Sequence, residues 1–220
     1  MEAALLWRLV DDFRQWQWLV FVGVAATVIL LNLYFAKRRR QGLERAAQEM
    51  GFVFDAEATS VAGQPFLSLP LLSHQTKLSN VLRGAVGSGE AVVLDVQIGS
   101  GKQARTQTVA CFRLAGKRLP AFEMRPENLF DKIGSRFGQQ DIDFETNPEF
   151  SKSYLLRGKD EPSVRALFHP GLLMFFEQHK GWCVEGEGEW LGVYRAVQIV
   201  APGNLRTFLD EATQVATAFL

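Results

Sequence analysis

The chain has 220 residues, and its 24 Lys or Arg side chains balance its 24 Asp or Glu side chains, so its formal net charge is zero. A dedicated nucleic-acid-binding protein needs a cationic surface for phosphate contacts, and the charge balance argues against that class. Two cysteines, Cys111 and Cys183, are too few for a disulfide framework in a chain of this length. They favour free thiols in a reducing compartment over a single disulfide.

An apolar block from Trp18 to Ala36, WLVFVGVAATVILLNLYFA, contains 19 residues and no charge. As a helix it is about 28 Å long, close to the hydrocarbon thickness of a bilayer. A buried helix is usually shorter and less apolar, and a signal peptide carries its cations before the apolar run. Trp16 and Trp18 at one edge and Tyr34 near the other suit the two interfaces. We therefore predict a transmembrane helix over residues 16–36, with the lipid bilayer as a binding partner of the chain.

The charges that flank this block differ in sign and density. Two arginines precede the block together with three acidic residues, whereas KRRR follows it. We expect these basic residues, Lys37, Arg38, Arg39 and Arg40, to anchor the helix at this edge. The positive-inside rule then places the N-terminus outside and the rest of the chain in the cytoplasm. These cations also suit the head groups of anionic lipids.

Three further features lie before, within and after the spanning segment. Residues 1–15 have apolar side chains at helical spacing, which predicts either an interfacial helix or the first turns of the spanning helix. Within the span, Gly23 and Thr27 are small residues four apart, a spacing at which a neighbouring helix can pack. After the span, residues 37–50 predict a basic juxtamembrane helix that ends at Gly51.

Residues 51–220 predict one α+β domain that begins with an antiparallel sheet. Strand patterns cover 51–54, 66–72, 78–84, 91–98, 105–114 and 120–125, with the second at a sheet edge because of Pro70. A helix over 126–138 and strands over 141–145 and 152–158 follow. Helices from Asp160 to Gly181, broken at Pro170, precede a hairpin over 182–187 and 190–199 and a final helix from Pro202.

Three short motifs are similar to known ligand-binding patterns, but each lacks residues that its pattern requires. GSGK at 99–102 lacks the earlier Gly and the following Ser or Thr of a phosphate-binding loop, so we interpret it as a hairpin turn. GEGEWLG at 186–192 has Leu191 where a dinucleotide-binding loop needs Gly. His179 and Cys183 lack two further metal ligands at a recognisable spacing. We therefore predict no catalytic residue, cofactor or metal ligand.

Two sets of alternating acidic residues are the remaining candidates for a binding site, namely Asp141, Asp143 and Glu145, and Glu185, Glu187 and Glu189. In strands each set lies on one face, where it can bind a basic partner or a divalent cation. The simpler interpretation is the solvated face of a half-buried strand.

The stretch from RPENLFDKIGSRFG to LFHPGLLMFFEQ, with the later GEWLGVYR, resembles an uncharacterised family of bacterial membrane-anchored proteins. The resemblance covers roughly residues 50–215, and its matching features are Asp143-Phe144-Glu145, Phe150, Tyr154, the run Arg165-Ala166-Leu167-Phe168, Pro170 and the apolar hairpin after Gly181. It implies a bacterial membrane-anchored protein in which a spanning segment precedes a domain without an assigned activity. Together with the orientation above, we predict that the protein lies in the bacterial inner membrane. The resemblance transfers no catalytic residue.

The sequence thus favours a single-pass interaction protein, a non-catalytic accessory or stabilising subunit of a larger membrane complex such as a respiratory or photosynthetic assembly. Other membrane proteins are the expected partners, and nucleic acid is not. A metal-dependent enzyme or sensor at the acidic strands and a module that binds anionic lipid surfaces are the alternatives.

Overall fold

The computed structural model describes residues 2–73, 76–87, 89–101, 104–127 and 141–220, with the backbone alone for residues 2–17 and 76. The chain divides into two compact units, Met1–Gly42 and Leu43–Leu220. Helix α1, Glu2–Met50, supplies all of the described part of the first unit and the first turns of the second. From residue 2 onward, the predicted segments 1–15, 16–36 and 37–50 therefore lie in one continuous helix.

The second unit is an α+β domain, as predicted. Its strands are β1 Val53–Asp55, β2 Thr76–Val86, β3 Gly89–Ile98, β4 Arg105–Arg113, β5 Leu119–Pro126, β6 Tyr154–Gly158, β7 Cys183–Gly188 and β8 Trp190–Tyr194. Its helices after α1 are α2 Pro148–Ser153, α3 Glu161–Leu167, α4 Pro170–Gln178 and α5 Leu205–Thr217. In the described part of the chain the strands form one antiparallel sheet in the order β1-β2-β3-β4-β8-β7-β5-β6.

Both faces of the sheet are covered by other elements, so polar side chains on either face of its central strands are buried. The last turns of α1 and the helices α3, α4 and α5 pack on one face, where Leu43 and Ala47 join the larger core. On the other face, Phe66, Leu69 and Leu72 cover the alternate residues of β3, β4 and β8. Strand β3 is therefore buried from Ala91 to Val96 rather than half-buried.

The covering residues come from a segment whose prediction was wrong. Residues 66–72 were expected to form an edge strand, but Thr59–Val61 and Pro65–Ser68 are 3-10 helices and a turn follows. Pro65 starts the second of these helices, and a proline at that position does not remove a needed donor. We define residues 56–73 as the cover segment.

Local sequence signals account for the other helix boundaries. Asp160 caps α3, since its carboxylate accepts hydrogen bonds from the backbone N–H and the hydroxyl of Ser163. Pro170 is the first residue of α4, and Gly51 ends α1 with a left-handed φ of 72°. The predicted strand over 190–199 stops at Tyr194. Most of the predicted helix 126–138 lies outside the described residues.

Candidate functional site

One helix among the described residues is long and apolar enough, by length and composition, to cross a membrane. Its most apolar stretch has a mean hydropathy of 2.3 and no buried residues. Trp18, Phe21 and Tyr34 expose 57%, 74% and 53% of their surface. Trp16 lies in α1, but its side chain is outside the described residues. An apolar surface this large needs lipid or another protein to cover it.

Gly23 and Thr27 lie on this exposed stretch. The Thr27 hydroxyl donates a 2.8 Å hydrogen bond to the Gly23 carbonyl oxygen, so its polar group is satisfied within the helix. A Cβ added at Gly23 would meet no atom within 4 Å. The position is therefore open to a neighbouring helix.

The four cations that follow the apolar stretch lie on consecutive positions of α1. Lys37, Arg38 and Arg40 are exposed and Arg39 is half-buried. The Arg38 guanidinium lies 5.8 Å from the centroid of the Tyr34 ring, a cation–π distance. This pairing sets a cation beside an aromatic ring of the kind found at membrane interfaces.

The first acidic set does not lie in a strand, so the predicted strand 141–145 is wrong. Asp141 instead fastens this loop to β6, because its carboxylate accepts hydrogen bonds of 2.9 and 2.8 Å from the backbone N–H groups of Ile142 and Leu156. Partial burial raises its pKa. Asp143 and Glu145 are exposed. Of this set, these two are therefore the residues that can reach a partner.

The second acidic set is divided between the interior and the surface. Glu187 and Glu189 are half-buried, and the Glu189 carboxylate lies 2.9 Å from the Arg113 guanidinium, which lowers its pKa. Glu185 is only 3% exposed. The expectation of one solvated acidic row is therefore wrong for Glu185, because the cover segment lies over the face that this row occupies.

Glu185 joins the cover segment to the sheet. One carboxylate oxygen accepts a 2.6 Å hydrogen bond from the backbone N–H of Leu71, and the other accepts a 2.7 Å hydrogen bond from the hydroxyl of Tyr194. Burial raises the pKa of Glu185 to about 7, despite these hydrogen bonds that favour the charged form. The carboxyl group is thus poised to change charge near neutral pH.

More buried charges adjoin Glu185 on the same sheet face. Glu123 lies directly opposite Arg157 on β6 and opposite Glu185 on β7 in the strand register. Its carboxylate lies 2.7 Å from the Arg125 guanidinium. All four side chains are buried, and their two negative and two positive charges can balance. Such a cluster is more stable than an isolated buried charge, because each ion has an opposite charge nearby.

The neighbouring thiols do not supply a nucleophile. Cys111 and Cys183 are free thiols, as predicted, and both are buried. Burial raises the pKa of both thiols, that of Cys183 to about 12. A thiol in this state is protonated and inert at neutral pH. The cluster around Glu185 therefore suits a structural role, fastening the cover segment, better than covalent chemistry.

A metal site of the predicted acidic type is not assembled in the described ranges, where no three His, Cys, Asp or Glu residues come together to hold an ion. His179 ends α4, and its ring stacks on Phe175 at 4.2 Å. GEGEWLG spans the hairpin of β7 and β8, whereas Gly99 to Gly101 follow β3 and the last residue of GSGK, Lys102, lies outside the described residues. Gly99 and Gly188 have positive φ values, which favour glycine at both positions.

Sequence reasoning missed the buried polar groups. Asp95 is buried and accepts hydrogen bonds from Asn80 and Thr108, and Thr108 in turn accepts one from the backbone N–H of Val200. A charged residue within the apolar run AVVLDVQI was the available signal, because a strand buried on both faces must give such a residue polar partners.

Comparison with protein-family models and with curated proteins finds no match. The crystal structure of the mycobacterial trehalose monomycolate transport factor A, TtfA, matches with a TM-score of 0.60 and 14% sequence identity, over 84% of this chain and 92% of that chain. At this identity the match shows a shared fold. The resemblance to a family of bacterial membrane-anchored proteins stays a prediction.

Proposed function

We propose that this chain is a single-pass membrane-anchored interaction protein that serves as a non-catalytic accessory subunit of a bacterial membrane complex. The observation that carries the proposal is helix α1, in which an uncovered apolar stretch from Trp18 to Phe35 precedes turns that enter the core of a folded domain at Leu43 and Ala47. A helix built this way attaches a domain to a bilayer.

The proposal includes an orientation, with the N-terminus outside and the domain in the cytoplasm. Its support is the cationic run after the span and the positive-inside rule. The buried native thiols do not react readily with impermeant reagents, so an exposed residue such as Glu145 is the place for an engineered cysteine. Glu145→Cys is expected to resist an impermeant thiol reagent in intact cells and to react after permeabilisation. Reaction in intact cells would indicate the opposite orientation, with the domain outside the cytoplasm.

The fold likeness to a transport factor supports the search for partners among membrane transport assemblies, ahead of respiratory or photosynthetic ones. Two surfaces are available for the contact, the lipid-facing side of the span around Gly23 and Thr27 and the exposed carboxylates Asp143 and Glu145. Carboxylates at the surface suit a basic partner and act mainly on the rate of association.

Co-purification from native membranes in mild detergent tests the proposal. We expect at least one membrane protein to elute with the tagged full-length chain in a fixed ratio. The double variant Asp143→Asn, Glu145→Gln is expected to lower its recovery, whereas Asp210→Asn, a control at another exposed carboxylate, is not. Elution of the chain alone in several native extractions would count against an accessory subunit.

A further inference from the structure

A cleft of about 470 Å³ opens in the domain beside the start of β6 and the end of α4, within the usual size range of small-molecule sites. The charged and hydroxyl-bearing residues that line it are Glu127, Lys152, Ser153, Tyr154, Lys180 and Arg195. Three cations and one carboxylate give this lining a formal charge of +2. None of these residues belongs to the predicted acidic sets or to the basic run on α1.

The loop that carries Lys180 is held in place by buried or half-buried groups. The backbone N–H of Gly181 donates a 3.0 Å hydrogen bond to the hydroxyl oxygen of Tyr154, and that hydroxyl donates a 3.3 Å hydrogen bond to the carbonyl oxygen of His179. Burial raises the pKa of Tyr154 to about 12, so the hydroxyl stays protonated. The cleft wall is therefore preorganised on both sides of Lys180.

Arg195 is also positioned before any ligand arrives. Its guanidinium lies 4.0 Å from the centroid of the buried Trp182 ring, and one nitrogen donates a 3.4 Å hydrogen bond to the carbonyl oxygen of Lys180. A Cβ added at Gly181 would lie 3.2 Å from that nitrogen, so the absent side chain leaves room for the arginine. Stacking of this kind fixes the plane of the guanidinium for directed hydrogen bonding.

The ion pairs that Lys152 and Arg195 form within the protein lie at its surface. Lys152 pairs with Glu149 at 3.1 Å, with 71% and 67% of the two side chains exposed, and Arg195 approaches Glu211 at 3.4 Å with both side chains partly exposed. Exposed ion pairs contribute little to stability. An anion in the cleft can therefore replace them at small cost.

We propose that this cleft binds a phosphate monoester. Guanidinium groups match the geometry of phosphate oxygens, and two nearby ammonium groups add charge without fixed geometry. A monoester carries a charge of about −1.5 to −2 at pH 7, which matches the charge of the lining. The cleft is larger than a phosphate group, so it has room for the group to which the phosphate is attached. The proposal is independent of the accessory role.

Calorimetric titration of the full chain in detergent micelles tests the proposal in two arms. Glycerol 3-phosphate is the soluble probe, and short-chain phosphatidic acid in mixed micelles is the lipid probe, with phosphatidylcholine as its control. Both monoesters place the same phosphate chemistry in the cleft, so the arms separate a soluble source from a lipid head group. Affinity for either probe is expected to fall as pH drops from 7 to 5, because the ligand loses its second negative charge.

The variants are chosen so that folding does not decide the result. Lys152→Gln with Lys180→Gln removes two exposed cations and is expected to weaken binding by about tenfold, and Lys159→Gln, an exposed lysine outside the lining, is the matched control. Arg195→Lys keeps the positive charge but loses the planar set of guanidinium N–H donors, so this variant is expected to bind more weakly than the wild type. Binding lost from the double lysine variant in either arm supports the proposal. Failure of both probes to bind, or equal binding to the double variant, overturns it.

Discussion

Replacement of Glu185 by Gln tests whether a buried carboxylate fastens the cover segment to the sheet. The carboxyl group accepts hydrogen bonds from Leu71 and Tyr194, and burial raises its pKa from 4.5 to about 7. The folded state therefore holds this proton more tightly than the unfolded state. The resulting stabilisation is fully present below about pH 4.5 and is lost as pH rises through 7.

The size of the effect follows from the two pKa values. At about 1.4 kcal/mol per pH unit, the interval between 4.5 and about 7 corresponds to roughly 3 kcal/mol of unfolding free energy. A glutamine side chain is neutral at every pH, and its amide can still accept from Leu71 and donate to the Tyr194 oxygen. Relative to wild type, Glu185→Gln should therefore gain about 3 kcal/mol between pH 4.5 and pH 8.

The assay is urea unfolding of the full chain in detergent micelles, followed by tryptophan fluorescence at pH 4.5 and pH 8. Trp190 lies in the smaller core, beneath the cover segment, and reports on that region. Asp210→Asn, at an exposed carboxylate, serves as the control and should shift little between the two pH values. A difference between Glu185→Gln and wild type that is the same at both pH values would show that titration of Glu185 does not change the stability of the fold.

Three further substitutions test the core and the anchor. Phe219→Ala should cost about 3–5 kcal/mol in urea unfolding, since this buried ring stacks on Phe122 at 5.9 Å, and a wild-type midpoint would contradict the packing. Gly186→Ala should cost about 1–3 kcal/mol, because the new Cβ would lie 2.3 Å from the Phe122 ring, whereas Gly203→Ala meets nothing within 4 Å and should be near neutral. Val28→Arg should cost about 3 kcal/mol of membrane insertion and lower the fraction that resists alkaline extraction, and unchanged extraction would argue against a spanning role for this stretch.

The architecture was largely predictable because its signals are local. Alternation and flanking glycines place β3 and β4, and the Asp160 and Pro170 signals place two helices. The cover segment was not predictable in this way. The short apolar run FLSLPLL at 66–72 suits a strand as well as turns of 3-10 helix, and the choice depends on the sheet face that its side chains cover.

The error at Glu185 follows from that one uncertainty. A sheet with one bare face would leave Glu185 in solvent, and the cover segment turns the same position into a buried one. The cleft around Lys180 and Arg195 was hidden for a related reason. Its cations lie in separate elements, and only the folded chain brings them to one opening.

The assignment as an accessory subunit can be tested by the mass of the particle that contains this chain after extraction from its own membranes in mild detergent. Size-exclusion chromatography with light scattering separates the mass of protein from that of detergent. An accessory subunit predicts a particle whose protein mass exceeds 24.7 kDa by the mass of at least one different polypeptide. A particle that holds one copy of this chain and no other protein would rule out an accessory subunit.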